Sequence, residues 1–457
     1  MTTSRRTAPR PAGTAPIHHL AEPHAWHEAL RTGEYRWSTL GRSLDDEGFV
    51  HCSSAAQLAG VLGRYYADHD RDLVLLTIDP ARLTAPLEWE AADPGTGEEF
   101  PHVYGPITPD AVVATRVLRP PHAAPPESIT LRANGIELEV VTAGAAVRRL
   151  RIGPPETAVD VVLGHADPMT YRFAGGYLGA VVGRVANRLA GGRFTVDGAD
   201  HAVATNEHGT ILHGGFEGFD RMPWGVESVG SSHVRLALTS PDGDNGFPGR
   251  VDVTVAYTVS PGEVRIEYTA RSDRPTPFNV TNHAYVNLDG EGSGPVDDHV
   301  LEVTASAFTP VGADLLPTGE VRPVDGTPFD LRTPRRIGDL LAVDDEQLRH
   351  GRGLDHNLVL DGDGDGLRLA ARLRGASGRV LEVHTDRPGL QVYTGAHFDG
   401  TTTGLSGGTY GPRAGIALET QAFPDAPNHL AFPDITLRPE VPFRSTTVWR
   451  LRTDRGG

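Results

Sequence analysis

The stretch Pro277-Phe-Asn-Val-Thr-Asn-His-Ala-Tyr-Val-Asn-Leu288 carries an imidazole, three amides, a threonine hydroxyl and two aromatic rings within twelve residues. A strand that only built a core would not hold Asn279, Asn282, His283 and Asn287 together, because buried amides need partners. A second polar pole lies downstream, in Ala417-Leu-Glu-Thr-Gln-Ala-Phe-Pro-Asp-Ala-Pro-Asn428. A solvated glutamate, with a pKa of about 4.3, is ionised at neutral pH, whereas a solvated histidine at about 6.5 can supply a proton there. His283 and Glu419 thus make a donor and an acceptor for general acid–base work on one ligand. That pairing predicts a bell-shaped pH–rate profile and asks for no metal, nucleophile or redox cofactor.

The elements that must position these poles read as strands. Ile136–Val140, Val251–Tyr257 and Val264–Tyr268 alternate apolar and polar residues. Turn clusters such as Ser240-Pro-Asp-Gly-Asp-Asn-Gly246 and Asp361-Gly-Asp-Gly-Asp-Gly366 separate them. Leu437–Glu440 and Thr446–Leu451 read as the closing strands, and the one helical suggestion, over Ile337–Leu348, is weak. The fold class is mostly β: one large antiparallel sandwich over 128–454, preceded by a small α+β domain over 17–118. In the small domain, Trp26, Ala29 and Leu30 predict one helix. Leu58, Val61, Leu62 and Tyr65, after N-capping Ser53 and Ser54, predict a second. Leu73–Ile78 and Val112–Leu118 predict strands. Four prolines within 119–127 predict a semi-rigid linker, and residues 1–16, basic and proline-rich without an apolar run, a disordered tail rather than a signal peptide.

Composition narrows the function classes. A length of 457 residues predicts two or three domains. The net charge of −17 argues against nucleic acid as the main ligand. No apolar run reaches the ~20 residues a bilayer span needs, and a single cysteine, Cys52, excludes an intrachain disulfide. The expectation is a cytoplasmic protein, monomer or homodimer, with a small-molecule partner.

Six segments, in order, resemble the aldose 1-epimerase (galactose mutarotase) family. They are Gly179-Ala-Val-Val-Gly-Arg-Val-Ala-Asn-Arg188, Leu212-His-Gly-Gly215, Thr281-Asn-His-Ala-Tyr285, Gly353-Leu-Asp-His-Asn357, Gln391-Val-Tyr-Thr-Gly395 and Leu418-Glu-Thr-Gln421. The resemblance covers Ile129 to Leu451 and implies a β-supersandwich with a free hexose, galactose or glucose, in an open groove and no cofactor. It implies His283 as general acid, Glu419 as general base, and Asn187, Arg188, His213, Asp355 and Gln391 as hydroxyl-binding residues. Val286 departs from the family's more frequent Phe, which touches packing beside the site. Each residue has a structural use to weigh against this: a satisfied core histidine for His283, a strand-end ion pair for Glu419, a surface ion pair for Arg188, an Asx turn for Asp355, cross-strand packing for Gln391. Other readings are a sugar-binding module without turnover and an epimerase of phosphorylated hexoses, which would want several cations at the rim.

In the small domain, Ile17-His-His19, Glu47-Gly-Phe-Val-His-Cys-Ser53 and Glu99-Phe-Pro-His-Val-Tyr-Gly-Pro106 resemble a small bacterial domain family without an assigned function, associated with an ADP-ribosyltransferase-like fold. That resemblance offers NAD-dependent transfer as a separate activity and His19, Ser38, His51, Ser53, Glu99, His102 and Tyr104 as residues to test. Three further signals carry less. Asp361, Asp363 and Asp365 mimic a calcium loop, but Arg372 stands where the bidentate glutamate belongs. His18, His19, His24 and His27 lack a clear third metal ligand, and Cys52 beside His51 reads as a small buried thiol.

Overall fold

The nine-stranded sheet of the larger region joins segments far apart in sequence, such as Glu263–Ser272 and Phe443–Thr453. The computed structural model describes residues 15–66, 69, 73–91, 98–118, 126–172, 175–203, 205–207, 209–215, 218–362 and 366–453. The tail expected over 1–16 lies outside these up to residue 14, as do residues 119–125 of the linker and residues 363–365 of the calcium-like turn. The chain divides into two compact units between residues 125 and 126.

In the first unit, strands Ile17–Ala21, Leu73–Ile78 and Val112–Leu118 form one antiparallel sheet with Leu73–Ile78 in the middle. Val50–His51, Glu99–Val103 and Leu87–Ala91 form another, with Glu99–Val103 central. Helix Pro23–Thr32 buries Trp26 and Ala29, but Leu30 is exposed. The second helix runs from Leu58 to Tyr65 with Gln57, not Ser53 or Ser54, at its N-cap. Ser54 instead donates its backbone N–H and its hydroxyl to Gln57 Oε1. Tyr65 faces solvent and Tyr66 takes the buried position, because the backbone leaves the helix at Tyr66 with φ −126°.

The second unit is an antiparallel β-sandwich. Its larger sheet has nine strands, in the order 225–229, 233–240, 251–260, 263–272, 443–453, 379–385, 368–374, 300–303 and 335–336. Phe443–Thr453, the last strand among the described residues, is interior to that sheet, between Glu263–Ser272 and Arg379–Thr385. A second sheet of six strands runs 285–286, 416–421, 389–393, 355–360, 305–309 and 322–323. Val253, Val255, Ile266, Val383 and Trp449 of the first and Leu358, Leu390, Val392 and Leu418 of the second share one buried cluster. Each such side chain contributes about 1.5–3 kcal/mol by leaving water. The expected helix over 337–348 is two short ones, Ile337–Leu341 and Glu346–Gly351, the second capped by the Asp345 carboxylate. Among the described residues no helix is long and apolar enough to cross a membrane.

With alternate residues of the six-stranded sheet committed to that core, the others form an array on its opposite face. Asp355, Tyr393, Ala417 and Tyr285 stand side by side in one row across the strands. Thr309, Asn357, Gln391 and Glu419 make the next, and Ala307, Val359, Gly389 and Gln421 the third. This array carries several of the candidate site residues described next.

Candidate active site

The three amides that flank His283 work as fasteners. Asn279 exchanges two hydrogen bonds with the backbone of Ala422. Asn282 donates to Gly179 O at 2.6 Å and accepts from Ala284 N at 3.0 Å, bracketing His283 on both sides. Asn287 donates to Gly294 O and Ala414 O. The amides therefore find backbone partners and hold the imidazole still. His283 is 3% exposed, and its Nε2 lies 3.5 Å from Glu419 Oε1.

His213 meets His283 edge-on, with ring centroids 5.2 Å apart. It sits at φ 51° and is followed by Gly214, where a Cβ would come within 1.9 Å of Gly183 O, so the Leu-His-Gly-Gly sequence suits a close backbone approach. Asn187 has φ 63°; its N–H donates to His213 Nδ1 at 3.2 Å, its carbonyl accepts the His213 N–H, and its Oδ1 accepts from Arg188 N. Arg188 Nε and Nη2 grip Glu207 at 2.6 and 3.0 Å, and Nη1 lies 3.8 Å from Asp355 Oδ2. Asp355 Oδ1 accepts from Gln391 Nε2 at 2.6 Å, and Gln391 stands directly opposite Glu419 in the sheet.

All seven residues expected at the sugar site are thus linked by contact or register: Asn187, His213, His283, Glu419, Gln391, Asp355 and Arg188. The surface ion pair considered for Arg188 is instead a pair buried on the arginine side. Three neighbours escaped the sequence reading. Glu207, from the loop before His213, has no pattern to mark it, yet it orients Arg188. Tyr177 lies 4.4 Å from the His213 ring and 5.7 Å from that of His283. Tyr393, whose hydroxyl bonds His397 Nδ1 at 2.7 Å, sits inside the fifth motif, two residues after Gln391, a spacing that puts both on one face of the strand.

Burial reverses the ionisation expected from solvated side chains. It pulls His283 down to about 3, and it drives Glu419 well above its usual range, with Asp355 adding to the rise and Arg188 opposing it. His213 is likewise held well below its usual value by burial, with His283 and Arg188 adding to the effect. Asp355 is raised by burial, partly offset by Arg188 and Gln391. At rest the His283–Glu419 pair therefore favours a neutral imidazole and a proton on the carboxyl group. The proton inventory equals that of an imidazolium facing a carboxylate, so the pair still holds one proton to move.

His213, His283 and Glu419 also present ligand atoms within 4.8 Å of one another. His213 Nδ1 accepts the Asn187 N–H, which leaves the ring proton on Nε2 and points a donor rather than a lone pair from that atom. That tautomer suits a sugar hydroxyl better than an ion.

The first unit gathers some of its candidates and separates others. His51, His102 and Tyr104 share one sheet face with Phe49 and Glu90: Glu90 Oε2 accepts from His102 Nδ1 at 2.8 Å and from Tyr104 at 2.6 Å, and Phe49 stacks on His102 at 4.1 Å. His19 is buried elsewhere, between Tyr35 and the His51 carbonyl. Ser38 is buried, Ser53 pairs through its backbone with His18, and Glu99 is exposed at a strand end. The side chains of His24 and His27 are not among those described.

Comparison with known proteins bears on both units. Residues 127–450 match the family model described as aldose 1-epimerase, and residues 20–115 match that of a protein of unknown function, DUF952. The chain is 43% identical to galactose mutarotase of Rattus norvegicus over 326 residues, 71% of this chain and 94% of the relative. It is 38% identical to aldose 1-epimerase of Escherichia coli K12 over 339 residues, 72% of this chain and 96% of the relative. Among solved structures it resembles a GalM/aldose epimerase homologue from C. elegans (TM-score 0.67, 29% identity, 72% of this chain and 100% of that one). It also resembles galactose 1-epimerase from Lactobacillus acidophilus (TM-score 0.64, 28% identity, 81% of this chain and 100% of that one).

Proposed function

We propose, from the premise that this chain belongs to the aldose 1-epimerase family, that His283 and Glu419 interconvert the α and β anomers of a free hexose such as galactose or glucose. The chain is an isomerase of that family, and the observation that carries the residue roles is the 3.5 Å approach of His283 Nε2 to Glu419 Oε1. On sugar binding the one proton of the pair moves from Glu419 to His283, and the C1 hydroxyl then gives its proton to the ionised Glu419 while His283 gives one to the ring oxygen. The C1–ring-oxygen bond breaks as the C1 carbonyl forms, the C1–C2 bond turns, and the hydroxyl attacks the other carbonyl face as both protons return. Sugar hydroxyls donating to Glu419 favour its ionised form, and the positive charge of Arg188 acts in the same direction. Arg188, held by Glu207, and His213 hold ring hydroxyls, with Asn187, Asp355 and Gln391 completing the contacts.

The test is polarimetry on freshly dissolved α-D-glucose and α-D-galactose. Decay of rotation faster than in buffer is expected, and a rate equal to buffer would leave only a sugar-binding module. Phosphorylated hexoses fit this site poorly, because Arg188 is already engaged by Glu207 and lies near Asp355, with Glu419 close by. Glucose 6-phosphate is therefore expected to compete with glucose at least about tenfold more weakly than galactose does, a difference of ~1.4 kcal/mol. Equal competition would redirect the substrate assignment to sugar phosphates.

A further inference from the structure

Beneath the acid–base pair, four neighbouring positions on the sheet carry polar atoms that the protein leaves without partners. Gln391 faces Glu419 and Asn357 faces Gln391, while Gln421 lies two residues beyond Glu419 on the same face. These four side chains are at most 3% exposed. Glu419 Oε2, Gln391 Oε1, Asn357 Oδ1 and both polar atoms of Gln421 are buried without a hydrogen-bonding partner. The remaining polar atoms nearby are committed: Gln391 Nε2 to Asp355 and Asn357 Nδ2 to Thr309. Gly389, opposite Gln421, has no side chain to keep the Asn357 amide from reaching in beside it. A Cβ there would come within 2.3 Å of Asn357 Oδ1 and 3.2 Å of the Phe423 ring.

Several orphaned polar atoms on adjoining positions form a pattern that ordered internal water resolves, because a water both donates and accepts and makes about three bonds. We propose that Gln421, Asn357 and Gly389 frame an internal hydration site under the active centre, whose water hydrogen-bonds Glu419 Oε2 and fixes the carboxylate for proton transfer. The inference rests on the assignment of Glu419 as the base. Gln421 and Asn357 are then positioning residues: they act on the reaction through Glu419 and do not touch the sugar. The groups that share the electrostatics of Glu419 are His283, Asp355, Arg188, Tyr285 and Tyr393, and all stay in place in the variants below.

Gln421→Met keeps the length of the side chain and removes its amide. It is expected to melt near the wild-type temperature, to leave KM nearly unchanged, and to lower kcat by about 10²-fold, the effect of a misplaced catalytic group. The alkaline limb of kcat/KM should move upward, because a carboxylate that loses a hydrogen-bond donor holds its proton more tightly. Gln421→Asn, which keeps an amide and leaves room for water, should retain more of the rate, and Gly389→Ala should behave like Gln421→Met. An unchanged kcat and alkaline limb in folded Gln421→Met would overturn the proposal. If that variant does not fold, Gly389→Ala and a high-resolution crystal structure decide, and the four side chains closed on one another without solvent would overturn it. Glu419→Gln separates the two levels: if it keeps turnover, the base assignment itself falls. If it is inactive while folded Gln421→Met is normal, only the hydration site falls.

Discussion

Glu419→Gln is expected to lower kcat by about 10²–10⁴-fold, the usual contribution of a positioned base, with the fold and the sugar affinity preserved. The substitution nearly conserves volume at a position 1% exposed, so packing against neighbouring strands has no reason to change. Stability should not fall either. Burial already pushes Glu419 toward its neutral form, and glutamine is neutral at every pH, so the variant avoids the cost of an unsolvated charge. What glutamine cannot do is accept the C1 hydroxyl proton. Polarimetry measures the rate, and the midpoint of thermal unfolding checks the fold. Near-wild-type turnover would remove Glu419 as the base, while a collapse in melting temperature would show that its first role is structural.

The parts of this molecule legible in its sequence are those governed by short-range rules. Period-two alternation in Val251–Tyr257 continues through the strand Val251–Ser260, whose buried residues alternate along its whole length. The six motifs mark residues that the structure brings together, some on tight local turns, such as His213 before its two glycines, and others, Gln391 and Glu419, in mid-strand. Sheet order was not legible: nothing in Phe443–Thr453 says that it pairs with Glu263–Ser272 on one side and Arg379–Thr385 on the other. Glu207 escaped for the same reason, since its value lies in meeting Arg188 across a loop. The amides of Asn279, Asn282 and Asn287 were conspicuous as chemistry and proved to be scaffold, because an amide bonding backbone and an amide bonding sugar look alike in sequence. Ionisation was the largest gap. Reference pKa values describe solvated groups, whereas His283 and Glu419 are both buried.

That reversal sets the second large expectation, for His283→Gln. In the wild type the reaction needs one proton on the pair, so kcat/KM falls when the pair gains a second proton and again when it loses its only one. Burial moves both limbs outward. The acid limb goes down toward about 3, where His283 takes up its proton, and the alkaline limb goes up with the raised Glu419. The bell is therefore wider than the interval of about 4.3 to 6.5 that solvated groups would give. Glutamine at 283 removes the proton donor and should lower kcat by about 10²–10⁴-fold. It should also change the shape of the profile. With Glu419 alone titrating, the residual rate rises with pH as the carboxyl group ionises and then stays level, so the alkaline limb disappears. A pH series of mutarotation rates on wild type and variant, each corrected for the buffer reaction, measures both effects. An alkaline limb that persists in His283→Gln would mean that another group supplies the proton to the ring oxygen, and His213, with its ring 5.2 Å away, would be the first to test.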